Sequence, residues 1–145
     1  MVLRPYSMPT ITFPGRFKNL AEISDFVAGE ARQAGLNESE VYAVQLAVDE
    51  ACSNIIEHSY GGEGVGEIEC TAESTKSGLK IVLRDRGKPF NPEAIPEPNL
   101  NVPLNQLKPG GLGVFLMRKM MDEVHFDFNT DGGNVLTMVK RKSHN

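Results

Sequence analysis

The chain has 145 residues, 40% hydrophobic and 23% charged, and its fifteen Lys and Arg against nineteen Asp and Glu leave a net charge of −4. That length and balance predict one domain over residues 1–145, with a core that stands without disulfides or metals, and exclude a wholly disordered chain. There is no basic block to track nucleic acid, no apolar run near the roughly 18 residues of a membrane span, and no signal-peptide core at the start, so the expectation is a cytoplasmic protein without nucleic-acid or membrane partners.

Residues 8–13 alternate weakly and stop at Pro14-Gly15, which predicts a short first strand and a turn. From residue 20 to residue 34, Leu20, Ile23, Val27, Ala28 and Ala31 recur at helical spacing, and Gly35 stands where a helix ends. Asn37 followed by Glu40 has the form of a capping box; behind it Val41, Val44, Val48, Ala51 and Ile55 make one apolar stripe of a second helix running down to Tyr60-Gly61-Gly62. Ile68, Cys70 and Ala72, then Leu79, Ile81 and Leu83, alternate with polar residues on either side of Lys76-Ser77-Gly78, which predicts a hairpin. Six prolines between Gly87 and Gly111 forbid a regular element there, and a loop of that length inside a domain reads as a functional lid over residues 87–111. A third helix is expected over 114–121, with Met117, Met120 and Met121 as core residues, then strands over 123–129 and 134–141. Cys52 and Cys70 belong to no CxxC pair and read as reduced packing residues. This order predicts an α/β (α+β) two-layer sandwich, a mainly antiparallel mixed sheet with helices on one face.

Three segments carry chemistry. Glu50 and Asn54 are four apart on the second helix, so they share a stripe; an amide oxygen there can ligate a hard cation and a carboxylate can take a proton. Asp85, by strand alternation, faces inward at the end of the Leu79, Ile81, Leu83 row, where a buried carboxylate needs donors such as an adenine amino group, and Gly87 leaves room for a flat base. Gly110-Gly111-Leu112-Gly113 opens a helix, where exposed backbone N–H groups and the helix dipole favour phosphate. Each segment has an ordinary alternative: two solvated helix residues, a strand-end Asp turned to water, a flexible turn. Their order supplies a metal ligand, a base-recognition group and a phosphate cradle.

These segments resemble the N box, G1 box and G2 box of the GHKL (HATPase_c) ATP-binding family, and Gly132-Gly133-Asn134 with Thr137 resembles its closing strand motif. Within it the chain is most similar to anti-sigma-factor serine/threonine kinases of the RsbW and SpoIIAB type, across roughly residues 11–140. The resemblance implies a Bergerat-type fold, Mg²⁺-ATP bound under a lid, capture of a sigma factor and phosphorylation of a small anti-anti-sigma (STAS-type) protein, in a homodimer formed about the first strand. It implies Glu50 as general base, Asn54 as Mg²⁺ ligand, Asp85 on the adenine amino group, Gly87 near the base, Gly110, Gly111, Leu112 and Gly113 at the phosphates, and Thr137 on the adenine side. The family often carries an Arg just before the glycines. Pro109 stands there instead, and Lys108 is the nearby cation, a point charge without the guanidinium fork.

The chain has no phospho-acceptor helical hairpin; His58, His125 and His144 read as a helix-end residue, a strand residue and a tail. P-loop and protein-kinase motifs are absent. The competing reading is a non-enzymatic module that binds a regulator and senses nucleotide, against which Glu50 argues, because a pure binder needs no carboxylate beside the metal ligand.

Overall fold

The computed structural model describes residues 8–89, 101 and 109–143. Strand β1 (Thr10–Pro14) leads through a 3-10 turn (Phe17–Asn19) into α1 (Leu20–Gln33) and α2 (Glu38–Asn54), which continues as a π turn (Ile55–Ser59). The hairpin β2 (Glu67–Thr75) and β3 (Gly78–Asp85) follows, then α3 (Pro109–Met120), β4 (Glu123–Thr130) and β5 (Gly133–Arg141).

Local chemistry explains the ends of the helices. α1 stops in a Schellman arrangement: Gly35 takes φ +91°, its N–H donates to the Arg32 carbonyl, and the Leu36 N–H donates to the Ala31 carbonyl at 3.1 Å. Only a residue without a Cβ adopts that φ at no cost, so the glycine sets the stop. α2 begins on the expected capping box, with the Glu40 N–H donating to Asn37 Oδ1 and the Asn37 N–H to Glu40 Oε1, both at 2.8 Å.

The sheet order is β1-β2-β3-β5-β4, and every pairing among the described residues is antiparallel, so the expected mixed component is absent there. α2 packs between α1 and α3, and the helices cover one face. Onto that face β2 sends Ile68, Cys70 and Ala72, β3 sends Leu79, Ile81 and Leu83, and β5 sends Leu136 and Met138, all buried. Met117 and Met121 join this core, as do both cysteines, which are unpaired. Burial pushes the Cys70 thiol up to about 12 and the Cys52 thiol well above its ordinary value, so neither is a thiolate at neutral pH.

Helix α3 starts at Pro109, five residues before the apolar pattern predicts. Proline suits the first helical position, because its missing N–H has no helical partner there and its φ is preset. Gly110 and Gly111 therefore lie within the first turn and Gly113 just after it, and residues 109–111, expected as the end of the lid, belong to a helix. Lys108 and most of the expected lid lie outside the described residues. Among the described residues no helix is long and apolar enough to cross a membrane.

Candidate functional site

The inward row of β3 ends in a polar residue, and so does that of β5. Asp85 follows Leu83, and Asn134 precedes Leu136; the register makes the two direct partners. Both are buried, at 5% and 7% exposure, so each must find hydrogen bonds. Asn134 Nδ2 donates to Asp85 Oδ1 at 2.9 Å and to the Gly87 carbonyl at 3.0 Å, while the Gly87 N–H donates to the same Oδ1 at 2.9 Å. Neither bond uses Oδ2. A carboxylate held in this way keeps acceptor capacity on Oδ2 for a further donor.

Gly87 is needed for a reason the sequence does not state. A Cβ there would lie 2.3 Å from the Ser59 carbonyl oxygen, and the next residue, Lys88, donates its N–H to that oxygen at 2.7 Å. The glycine lets the segment after β3 close against the π turn that ends α2.

The second group forms between α2 and α3. A Cβ on Gly113 would stand 3.0 Å from Glu50 Oε2 and 3.3 Å from Asn54 Nδ2, so the first turns of α3 lie directly on the Glu50 and Asn54 stripe. Asn54 is buried, and among the described residues its Nδ2 has no hydrogen-bond partner. An unsatisfied buried N–H group costs about 1–3 kcal/mol, which a ligand presenting a hydrogen-bond acceptor to it would recover. The Glu50 carboxyl is held above its usual range, first by burial and then by the charges of Asp49 and Glu57. Gly110, Gly111 and Leu112 sit in the first turn of α3, whose N–H groups have no partners within the helix.

Asn54 and Asp85 line one narrow cleft of about 30 Å³ between α2 and the sheet, walled by Ile55, Met117, Phe126 and Leu136. Its apolar walls and buried acceptor match the chemistry of a purine, though its volume is too small to hold one as it stands. A far larger concavity, of about 1150 Å³, lies beyond Tyr60 and is lined by Thr12, Glu69, Arg84 and Arg86 as well as by Asp85. It is open and charged, and Asn54 is absent from its walls. The small cleft is therefore the better base pocket despite its size.

Among the described residues no group of three or more His, Cys, Asp or Glu side chains is placed to hold a metal. The Asn54 amide oxygen, beside the first turns of α3, is a hard donor of the kind that fits Mg²⁺ held otherwise by nucleotide phosphates and water.

The structure thus brings together Glu50, Asn54 and Gly113 between α2 and α3, and Asp85 with Gly87 at the end of β3, with Asn54 and Asp85 lining one cleft. Thr137 is elsewhere. It pairs with Val82 and His125 in register and alternates with the buried Leu136 and Met138, so it occupies the face of the sheet away from the helices. Expected on the adenine side, it cannot reach the cleft, because strand alternation turns its side chain outward. Asn134 was given no site role from the sequence; the only signal was the Gly132-Gly133-Asn134 run, whose last residue falls opposite Asp85 once the strands are in register.

Residues 13–140 match the histidine kinase-like ATPase domain family. The chain is 31% identical over 134 residues to the serine-protein kinase RsbW of Halalkalibacterium halodurans, covering 90% of this chain and 80% of that protein. It is 30% identical over 131 residues to the serine-protein kinase RsbW of Bacillus mycoides, covering 88% and 80%, and 29% identical over 126 residues to that of Bacillus licheniformis, covering 79% and 72%. Matched along nearly its whole described length, the chain belongs to the histidine kinase-like ATPase domain family, among the serine-protein kinases of the RsbW type.

Proposed function

We propose that this chain is a single nucleotide-binding domain of the cytoplasm that captures a sigma factor and, using Mg²⁺-ATP, phosphorylates a serine or threonine of an anti-anti-sigma (STAS-type) protein. The observation that carries the reading is the meeting of Glu50, Asn54 and Gly113 at the start of α3, beside the cleft that holds Asp85. Asp85 Oδ2 accepts a hydrogen bond from the adenine amino group, with Oδ1 held by Asn134 and Gly87. Entry of the base requires the cleft to widen, with Met117 and Phe126 as its nearest movable walls. The first-turn N–H groups of α3 face the phosphates, and Lys108 supplies a cation there.

Bound Mg²⁺ would neutralise charge on the phosphates, with Asn54 as its protein ligand. Glu50 takes the proton from the partner's hydroxyl as its oxygen attacks the γ-phosphorus and the bond to the ADP oxygen breaks. Desolvation raises the basicity of this carboxylate, which suits it to the task. Little covalent chemistry is asked of the protein, so positioning and charge carry most of the rate.

A homodimer formed about β1 accompanies this reading. β1 is an edge strand of the sheet, and Met8 and Ile11 beside that edge are exposed at 63% and 38%. A free edge with apolar flanks is a template for pairing.

The test measures phosphate transfer from labelled ATP to a cognate anti-anti-sigma protein, with nucleotide affinity read by calorimetry in parallel. Transfer by the wild type is expected. Binding of Mg²⁺-ATP without any transfer to a cognate partner would favour the regulator-binding module instead.

A further inference from the structure

Tyr60 belongs to no motif assigned a role above, yet its hydroxyl joins three elements. It follows the π turn at the end of α2, with its own N–H donating to the Ile55 carbonyl at 2.9 Å. Its hydroxyl donates to the Glu67 carbonyl at the start of β2 at 2.5 Å and accepts from the Arg86 N–H, just beyond β3, at 3.0 Å. One O–H therefore uses both its donor and its acceptor capacity on backbone groups far apart in sequence. Burial pushes the phenol pKa up, so the proton it donates is retained at neutral pH. The ring lies against Gly66, where a Cβ would stand 2.3 Å from Cε1, so the seat exists only because residue 66 has no side chain.

The consequence falls on Asp85. The peptide from Arg86 to Lys88 is held at one end by Tyr60 Oη and at the other by the Ser59 carbonyl. The same peptide supplies the Gly87 N–H that holds Asp85 Oδ1 and the carbonyls that hold Asn134. We propose that Tyr60 is a positioning residue for base recognition, tying the end of the Asn54 helix to the Asp85 loop so that Asp85 Oδ2 is aimed at the exocyclic amine of the bound purine. The proposal rests on the assignment of Asp85 to that amine.

The experiment compares two nucleotides on each variant of the full chain, by calorimetry with Mg²⁺: ATP, and purine riboside 5′-triphosphate, which lacks the amino group. Tyr60→Phe removes the hydroxyl and keeps the ring; Gly66→Ala keeps the hydroxyl and displaces the ring. The wild type should prefer ATP. Both variants should lose about 5-fold in ATP affinity, the worth of one ordinary hydrogen bond, while affinity for the analogue stays within about twofold. Equal losses for the two nucleotides would assign Tyr60 a merely structural role and overturn the proposal, as would unchanged ATP affinity in both variants. A partly unfolded variant lowers both affinities together and so counts against it. A wild type that binds the two nucleotides equally would instead remove the amine from Asp85, and the proposal would fall with that assignment; the wild-type measurement alone tells the two failures apart.

Discussion

Glu50 and Asn54 stand four residues apart, and their side chains do different work. Glu50→Gln keeps the shape of the site but removes the base, so transfer should fall on the order of 10²–10⁴-fold while calorimetric affinity for Mg²⁺-ATP survives. Asn54→Ala should lower both, and its affinity loss should shrink when Mg²⁺ is withdrawn. The raised pKa of Glu50 gives these variants a pH signature. The base acts only when deprotonated, so the transfer rate should climb with pH on a limb lying above the ordinary Glu value of about 4.3, and Glu50→Gln should erase that limb. Stability carries the opposite sign. A carboxyl whose folded pKa is raised contributes stability below its unfolded pKa and loses it as pH rises through the folded value, so at pH 7 Glu50→Gln should melt no lower than the wild type. Asp85→Asn should weaken ATP binding about 10- to 100-fold, since one amide end donates where the amine needs an acceptor. Asn134→Ala, which strips one of the two donors from Asp85 Oδ1, should weaken it as well and also lower the melting temperature, because Asn134 is buried and bonds three groups.

Elements hold these residues at working distance, and their contribution is separable from that of the residues. Asn37→Ala removes the capping box of α2 and should cost about 1 kcal/mol of stability in denaturant titration, with affinity and transfer unchanged because the site lies at the other end of the helix. Gly113→Ala tests the approach of α3 to α2. A methyl there meets the flexible tips of Glu50 and Asn54 rather than backbone, so the fold should survive. Those tips must yield by a few tenths of an ångström, however, and transfer should fall more than stability does. Helix α3 also shows where pattern reading stops. Apolar periodicity begins at Val114, whereas the helix begins at Pro109, because a helix start is decided by backbone N–H groups and a preset φ that leave no trace in hydrophobic spacing.

At the scale of the whole molecule, the edge strand β1 predicts association, and sedimentation should give a mass of twice the 15.9 kDa chain. A monomer at every concentration would remove the dimer from the proposal. The order of elements, the Asn37–Glu40 cap, the inward turn of Asp85 and the Glu50 and Asn54 stripe were all legible in the sequence, because each depends on local spacing: 3.6 residues per helical turn, two per strand, three from cap to partner. The rest depended on partners distant in sequence. That Asn134 rather than Thr137 faces Asp85 follows from the β3 and β5 register, and a strand's choice of face is set by which of its rows the helices bury. Gly113 against Glu50, Gly87 against Ser59 and Gly66 under Tyr60 are close approaches of residues between 6 and 63 positions apart in the chain. A glycine in a sequence records only that a side chain is missing; packing alone decides what occupies the space.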